Sequence, residues 1–435
     1  MKKTFACIAL LLAVGLALAS CSKTPTNGTS SSLSHPKVRA FISNPLYPSG
    51  TGGFSQVLNI VDATLDEISF SVVNLSGTSA VPGLMALSPN KQRLLIFSSS
   101  DNSIAVVDTT TQAPVTTGST IPLAGATQSM LVSTDNATGY AAVPTASVTT
   151  PPSSPGLVEV FSLSSGAVGA KIPVPGVSFV AASHNGNRIL GLGTDTCLDG
   201  TNSVTVIAPS LIGTSQDPRT VVCGFDHPVW AAFSSDDTAA YVLNCGPECG
   251  GSVAGVTRLN LNTNTADATV PLPAAGATVG LLTGNTLYVA GTPPGTACGS
   301  GTAALTCGTV ATVDVATMSV TAAPALITDG RHSRMEMGAN GQLFIGATGC
   351  TSVNTAGEVR GCLSIFDTNK ATVVIPPDAG DVTGIQPIAN RSVVYVCQNF
   401  NFRVYDTTTD KLEVIPPASN AAIFVGQAID VKLID

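Results

Sequence analysis

Ser88-Pro89-Asn90-Lys91-Gln92-Arg93-Leu94-Leu95-Ile96-Phe97-Ser98-Ser99-Ser100-Asp101-Asn102-Ser103-Ile104-Ala105-Val106-Val107-Asp108 decides the fold. It holds a polar turn, an apolar run, a second polar stretch, another apolar run, and an Asp that opens a further turn. Large and β-branched apolar residues between Ser/Asn/Asp turns read as antiparallel strands. The same arrangement recurs along the chain. First turns stand at Ser88-Pro89-Asn90, Asp135-Asn136, Asn185-Gly186, Ser235-Asp236-Asp237, Gly284-Asn285, Asn340-Gly341 and Ala389-Asn390, about fifty residues apart. Second turns begin at Asp62, Asp108, Ser162, Ala208, Asn260, Asp314, Asp367 and Asp406.

Each unit therefore reads strand, tight turn, strand, variable loop, strand, tight turn, strand. No window after the N-terminal apolar run sustains a helical period. Four-stranded antiparallel units at this period predict an all-β fold, a single β-propeller whose blades bury both faces against their neighbours. Near-continuous apolar runs such as Tyr241-Val242-Leu243 fit strands covered on both sides. Eight second turns against seven first turns mean that one unit lacks its opening strand. The first unit, about Lys37 to Gly77, begins directly at Val38-Arg39-Ala40-Phe41, and the C-terminal run from Ile423 to Val431 has the pattern of the missing strand. The expectation is eight blades, or seven if one degenerate unit is not a blade, with the C-terminus completing the first blade.

Ile104-Ala105-Val106-Val107-Asp108-Thr109-Thr110-Thr111, Phe402-Arg403-Val404-Tyr405-Asp406-Thr407-Thr408-Thr409 and the run at Tyr241 resemble YVTN-type β-propeller repeats, over about residues 38 to 435. No copy reads Tyr-Val-Thr-Asn, and the second-turn Asp is replaced at Ser162, Ala208 and Asn260. The resemblance implies an extracytoplasmic binding or structural protein, with lactonase-like enzymes among relatives of the same architecture.

Met1-Lys2-Lys3 followed by an apolar run to Ser20 has the layout of a secretory signal, and is too short and wrongly flanked for a spanning helix. Leu18-Ala19-Ser20-Cys21 resembles the bacterial lipobox, which implies a mature chain anchored through a lipidated Cys21. Two or more acyl chains there satisfy the requirement for stable anchoring. Ser22 after the cysteine favours an outer-membrane destination by the same resemblance. The organisation read from this is a signal peptide at 1–20, a lipidated cysteine with a Ser/Thr/Pro-rich tether at 21–36, and the propeller at 37–435.

The chain has 11 cysteines. Setting aside Cys7 in the signal and Cys21, eight fall into neighbour pairs: Cys197 with Cys223, Cys245 with Cys249, Cys298 with Cys307, and Cys350 with Cys362. Export places such pairs where bridges persist, whereas a metal site needs converging ligands that this spacing does not supply. Cys397, inside Val393-Val394-Tyr395-Val396, reads as a buried thiol. Charged residues make up 11% of the chain, well below the ordinary ~25%, and apolar residues 44%, which excludes disorder. A net charge of −8 argues against nucleic acid as a partner.

Turns joining strands one to two and three to four open on one side of the ring. Loops joining strands two to three, and blade to blade, open on the other. The long segments Asn44 to Gln56, Thr145 to Gly156, Thr194 to Ser203, Asn244 to Gly255, Gly291 to Gly308 and Gly346 to Gly361 all lie on this second side. Long loops of this kind carry binding or are tolerated excess. The polar candidates are Asp226, His227 and Trp230 at one blade start, and Asp329, Arg331, His332, Arg334 and Glu336 at another. Such a set suits acid/base work or recognition of a carboxylate or sugar, and equally suits bonding between neighbouring loops. Opening strands such as Leu84-Met85-Ala86-Leu87 are apolar, with Glu336, Gln386 and Gln427 the main polar exceptions, too few oxygens for calcium.

One Trp argues against a quinone-cofactor dehydrogenase, and no nucleophile elbow, zincin helix or phosphate loop is present. No cofactor, metal or catalytic residue is assigned. The expected function is a lipid-anchored envelope module that binds protein or glycan through its long-loop face. The alternatives are a lactonase-like or other hydrolase centred on the polar candidates, and a purely structural surface protein. The sequence sets no oligomeric state.

Overall fold

The run Leu94-Leu95-Ile96-Phe97 shows how the strands are buried. Leu94 and Ile96 join one apolar cluster with Phe41, Leu58 and Ile60, while Leu95 and Phe97 join another with Ala141, Val143 and Phe161. Successive side chains of a strand point to opposite faces, so an unbroken apolar run requires a partner sheet on each side. Truncating one of these fully buried side chains, for example Leu95→Ala, removes about 2–5 kcal/mol.

The computed structural model describes residues 36–49, 52–75, 81–115, 120–148, 154–294, 298–354, 357, 359–412 and 424–434. The signal segment, Cys21 and the tether to residue 35 lie outside the described residues. Eight antiparallel sheets form a ring, a β-propeller of eight blades. Blade 1 contains Arg39–Pro48, Phe54–Asp62 and Glu67–Asn74, with Val431–Leu433 as its innermost strand. Blades 2 to 8 begin with the innermost strands Pro82–Leu87, Ser129–Val132, Phe179–Ala182, Pro228–Phe233, Val279–Thr283, Arg331–Met337 and Val382–Pro387. In blade 2 the outer strand is split into Ala113–Pro114 and Ile121–Pro122, both paired with Ser103–Asp108. Eight apolar clusters occupy the seams, one between each pair of neighbouring blades.

The ring closes through the C-terminus, as the turn count predicts. Ala40, Phe41 and Ile42 pair with Leu433, Lys432 and Val431. The closing strand lies later than the run Ile423 to Val431 suggests. Phe424 and Ala428 instead pack into the cluster between blades 8 and 1, and Gln427 is held outside the innermost strand by its N–H donating to Asn44 Oδ1 at 3.0 Å. On the other side of that seam Arg391 grips Asp66 with both terminal nitrogens, and the Tyr395 hydroxyl donates to the same carboxylate at 2.5 Å.

Turn chemistry explains the repeat. Asp108 Oδ1 accepts the N–H groups of Thr110 and Thr111, and Asp314, Asp367 and Asp406 do the same for the residues two or three ahead. A short side-chain acceptor here fixes the turn before the outer strand. Asn260 and Ser162 supply the oxygen where Asp is absent. Ala208 has none, and there the chain runs through the short 3-10 turn Pro209–Leu211 to an outer strand that starts only at Arg219. Three first turns use Ser with Asn or Asp two residues on: the hydroxyls of Ser88, Ser183 and Ser234 donate to Asn90, Asn185 and Asp236. They also tie blade to blade. Asn90 donates its N–H to Asn136 Oδ1, and the His184 and Asn185 N–H groups donate to the Asp237 carboxylate.

Candidate functional site

The long-loop face is built by stapling. Cys197 is bridged to Cys223, Cys245 to Cys249, Cys298 to Cys307 and Cys350 to Cys362, so each bridge holds a loop joining strands two and three of its blade. Cys397 is free, fully buried in the cluster between blades 8 and 1, and its thiol is pushed well up by burial.

Asp226 and His227 sit between blades 4 and 5, and the structure gives them a holding role. Asp226 Oδ2 accepts the N–H groups of Ser252 and Val253 at 2.7 and 2.9 Å, and Oδ1 lies 3.0 Å from His227 Nδ1. Burial disfavours the charged carboxylate, but the His227 ring and the two loop amides outweigh it and hold Asp226 below its ordinary range. His227 adopts a left-handed φ of 55°, with its N–H donated to Asn202 Oδ1. Trp230 lies over the backbone of Gly280 on the innermost strand of blade 6 and faces Phe179 at 6.4 Å. It lines a cavity of about 430 Å3 among the innermost strands of blades 4 to 6, toward the short turns rather than the long loops.

The second set divides three ways. Asp329 accepts the Thr351 N–H with both oxygens, fixing the bridged loop of blade 7. Arg331 is exposed on the long-loop face. His332 is buried between blades 6 and 7, with neither ring nitrogen in a well-formed hydrogen bond; burial pushes the imidazole down to about 4, against the pull of the Thr328 carbonyl. Arg334 donates Nε to the Thr383 carbonyl at 2.8 Å. Glu336 lies further down the same strand, its carboxyl raised by burial, with Lys432 and Arg334 opposing that rise and Asp430 adding to it. The two sets do not come together as one centre. Asp226 and Asp329 are spent on loop amides and His332 is sealed in a seam.

A residue not singled out from the sequence completes the face. Glu248 stands in the 3-10 turn Gly246–Cys249, which the Cys245–Cys249 bridge closes. Its Oε2 accepts the Thr292 N–H at 2.8 Å, and the Thr292 hydroxyl donates to the Gly330 carbonyl at 2.7 Å, linking the loops of blades 5, 6 and 7. A Cβ at Gly276 or at Gly291 would come within 2.7 Å of that oxygen, so glycine at both positions lets the carboxyl approach the backbone. Burial raises the carboxyl to about 7, despite the Thr292 amide and the positive charge of Arg331. Beside it opens a cavity of about 520 Å3, whose walls include Val253, Leu272, Ala274, Pro273, Pro293 and Pro294. The available signal was a single carboxylate enclosed in the short cysteine loop Cys245-Gly246-Pro247-Glu248-Cys249.

Exposed apolar side chains also gather on this face: Phe54, Leu198, Val253, Val353, Phe400 and Val425. Phe400 and Asn399 form a two-residue turn with φ of 61° and 49°, a conformation that costs a bulky side chain about 1–3 kcal/mol. The Ala428 N–H donates to the Phe400 carbonyl at 2.7 Å, so the C-terminal segment holds that turn. Among the described residues no group of three or more His, Cys, Asp or Glu is placed to hold a metal ion, and no helix is long and apolar enough to cross a membrane.

Solved structures share this architecture. Dihydro-heme d1 dehydrogenase NirN in complex with DHE aligns with a TM-score of 0.62 at 11% identity, covering 94% of this chain and 77% of that one. Hydrazine synthase of Kuenenia stuttgartiensis aligns with a TM-score of 0.57 at 16% identity, covering 77% and 97%. The likeness shows the β-propeller fold alone. The β-propeller domain of Myceliophteria thermophila Cps50 (Swd1) aligns at 10% identity and a TM-score of 0.47, covering 76% and 98%. No protein-family model and no curated protein sequence matches the chain.

Proposed function

We propose that this chain is a lipid-anchored YVTN-type propeller of the bacterial cell envelope that acts as a binding or scaffold module, engaging a protein or glycan through its long-loop face. The observation that carries this reading is the contrast between the two faces. One is a set of tight turns bonded to each other, near which a cavity of about 430 Å3 opens among the innermost strands. The other holds four bridged loops, a cavity of about 520 Å3 and exposed apolar side chains. Preformed concave sites with fixed walls lose little freedom on binding. The cavity near the short turns is lined by innermost strands, whereas the one on the long-loop face is walled by a bridged loop and prolines. Four disulfides are consistent with export to an oxidising compartment, and the Leu18-Ala19-Ser20-Cys21 segment supports the anchor.

Anchoring is tested by labelling cells with radioactive palmitate. Label is expected in the wild-type chain and absent from Cys21→Ser; equal labelling would refute the anchor. Binding is tested by capture from solubilised envelope. A variant with Leu198→Lys, Val253→Lys and Val353→Lys on the long-loop face is expected to lose the partner that the wild type retains, while Leu65→Lys on the short-turn face retains it. Equal capture by both variants would remove the face assignment.

A further inference from the structure

The Glu248 cavity has no assigned ligand. Among the described residues Glu248 is the only ionisable side chain lining it. The segments opposite, Leu272 to Gly276 and Thr292 to Pro294, carry no charged group; Arg331 at the start of blade 7 acts on the carboxyl, and the Asp226–His227 pair stands behind the Ser252–Val253 wall. Four prolines, at 247, 273, 293 and 294, and the Cys245–Cys249 bridge fix the walls. A carboxylate in an apolar, pre-shaped cavity is stabilised by a cation that replaces lost water, and a cation carried on an alkyl stem covers the apolar wall as well.

Resting on the long-loop reading of the face, we propose that this cavity receives a basic side chain of a protein partner, a lysine whose ammonium meets Glu248 while its methylene stem lies along Val253, Leu272 and the prolines. A lysine suits the site better than an anion, because the one charged group among the described lining residues is the Glu248 carboxyl. The Thr292 amide keeps Glu248 Oε2 in place, so the carboxylate is already oriented before the partner arrives.

The test uses the full chain and two probes, N-acetyl-lysine methylamide and N-acetyl-norleucine methylamide, which share an alkyl stem and differ in charge. Saturation-transfer NMR and calorimetry are expected to show saturable binding of the lysine probe and at least tenfold weaker binding of the norleucine probe. Glu248→Gln keeps an acceptor for the Thr292 N–H and is expected to lower lysine-probe affinity at least tenfold. Ala274→Phe, which fills the cavity from an exposed wall position, is expected to abolish binding. Lowering the pH from 8 to 6 passes through the Glu248 titration near 7, protonates the carboxyl and weakens the lysine probe by roughly tenfold. Equal binding of the two probes, unchanged affinity in Glu248→Gln, or no saturable binding by wild type would each overturn the proposal. An envelope partner captured equally by wild type and Glu248→Gln would overturn the cavity assignment while leaving the face assignment standing.

Discussion

The short-turn face and the long-loop face are two ends of the same eight blades, and they are held by different means. At the short turns, one residue type at one position repeats: Asp108, Asp314, Asp367 and Asp406 each accept amides of their own turn, and Asn136 and Asp237 reach back to the turn of the preceding blade. At the long loops no contact runs through all the blades. Bridges hold the loops of blades 4 to 7, and carboxylates anchor two of them, Asp226 the blade 5 loop and Asp329 the blade 7 loop. Where periodic turn chemistry holds a surface, most blades contribute the same contact, the Ala208 turn being the exception. Covalent staples and single buried groups leave loop shape free to differ, which is what a binding surface requires.

Four perturbations sharpen that contrast, from the largest effect to the smallest. Removing residues 428–435 deletes Val431–Leu433 and Asp430, whose carboxylate accepts the Met85 N–H. The expected result is loss of cooperative unfolding and of the folded circular dichroism spectrum; a normal transition would show that ring closure is dispensable. Arg391→Met leaves Asp66, whose side chain is only 9% exposed, without its cation and is expected to cost about 3 kcal/mol in urea unfolding, because a buried charge loses its partner. An effect below about 1 kcal/mol would show that the blade 8 to blade 1 seam rests on apolar packing alone.

The bridges separate stability from shape. Replacing Cys197 and Cys223 by Ser opens a loop with a separation of 26 residues and is expected to cost about 3–4 kcal/mol, while replacing Cys245 and Cys249, only 4 apart, costs about 2 kcal/mol. Partner capture should show the reverse order, with the second pair losing more. A loss of capture that simply follows stability would make the Cys245–Cys249 loop a structural feature.

The last of the four reads pH dependence. His332 is neutral and sealed in its seam, with its folded value lowered to about 4 from 6.5, so the unfolded chain binds the extra proton first on acidification. Its contribution is complete above 6.5 and is lost as pH falls toward 4, by up to roughly 3 kcal/mol. Glu248 has the opposite sign. Its raised value means the folded chain binds the proton first, so its buried charge lowers stability as pH rises from about 4.5 to 7. Chemical denaturation at pH 4.5 and 6.5 should show a smaller acid loss in His332→Leu than in wild type, and an identical loss would mean the ring is not sealed.

The sequence made one of these faces far more legible than the other. Turn residues at Asp108, Asp314 and Asp406 act within two or three positions, so spacing alone exposes them, and the turn count shows that the C-terminus closes the ring. The four bridges were legible because each joins cysteines that neighbour one another along the chain. The exact closing strand was not, since the run from Ile423 to Val431 is as apolar as a strand, yet Phe424 and Ala428 pack into the seam and pairing begins only at Val431. Glu248 was missed because its surroundings come from Gly276, Gly291 and Thr292, segments that only the ring brings alongside. His332 and Asp226 carried the right residue types for chemistry, and only burial and amide contacts show their holding roles.

The most direct test of the contrast is photo-crosslinking in cells that produce the protein, with p-benzoylphenylalanine placed at Val253 on the long-loop face or at Leu65 on the short-turn face, both exposed. The account predicts an adduct of defined mass from position 253 and none from position 65. Adducts of equal yield from both positions, or from position 65 alone, would contradict it.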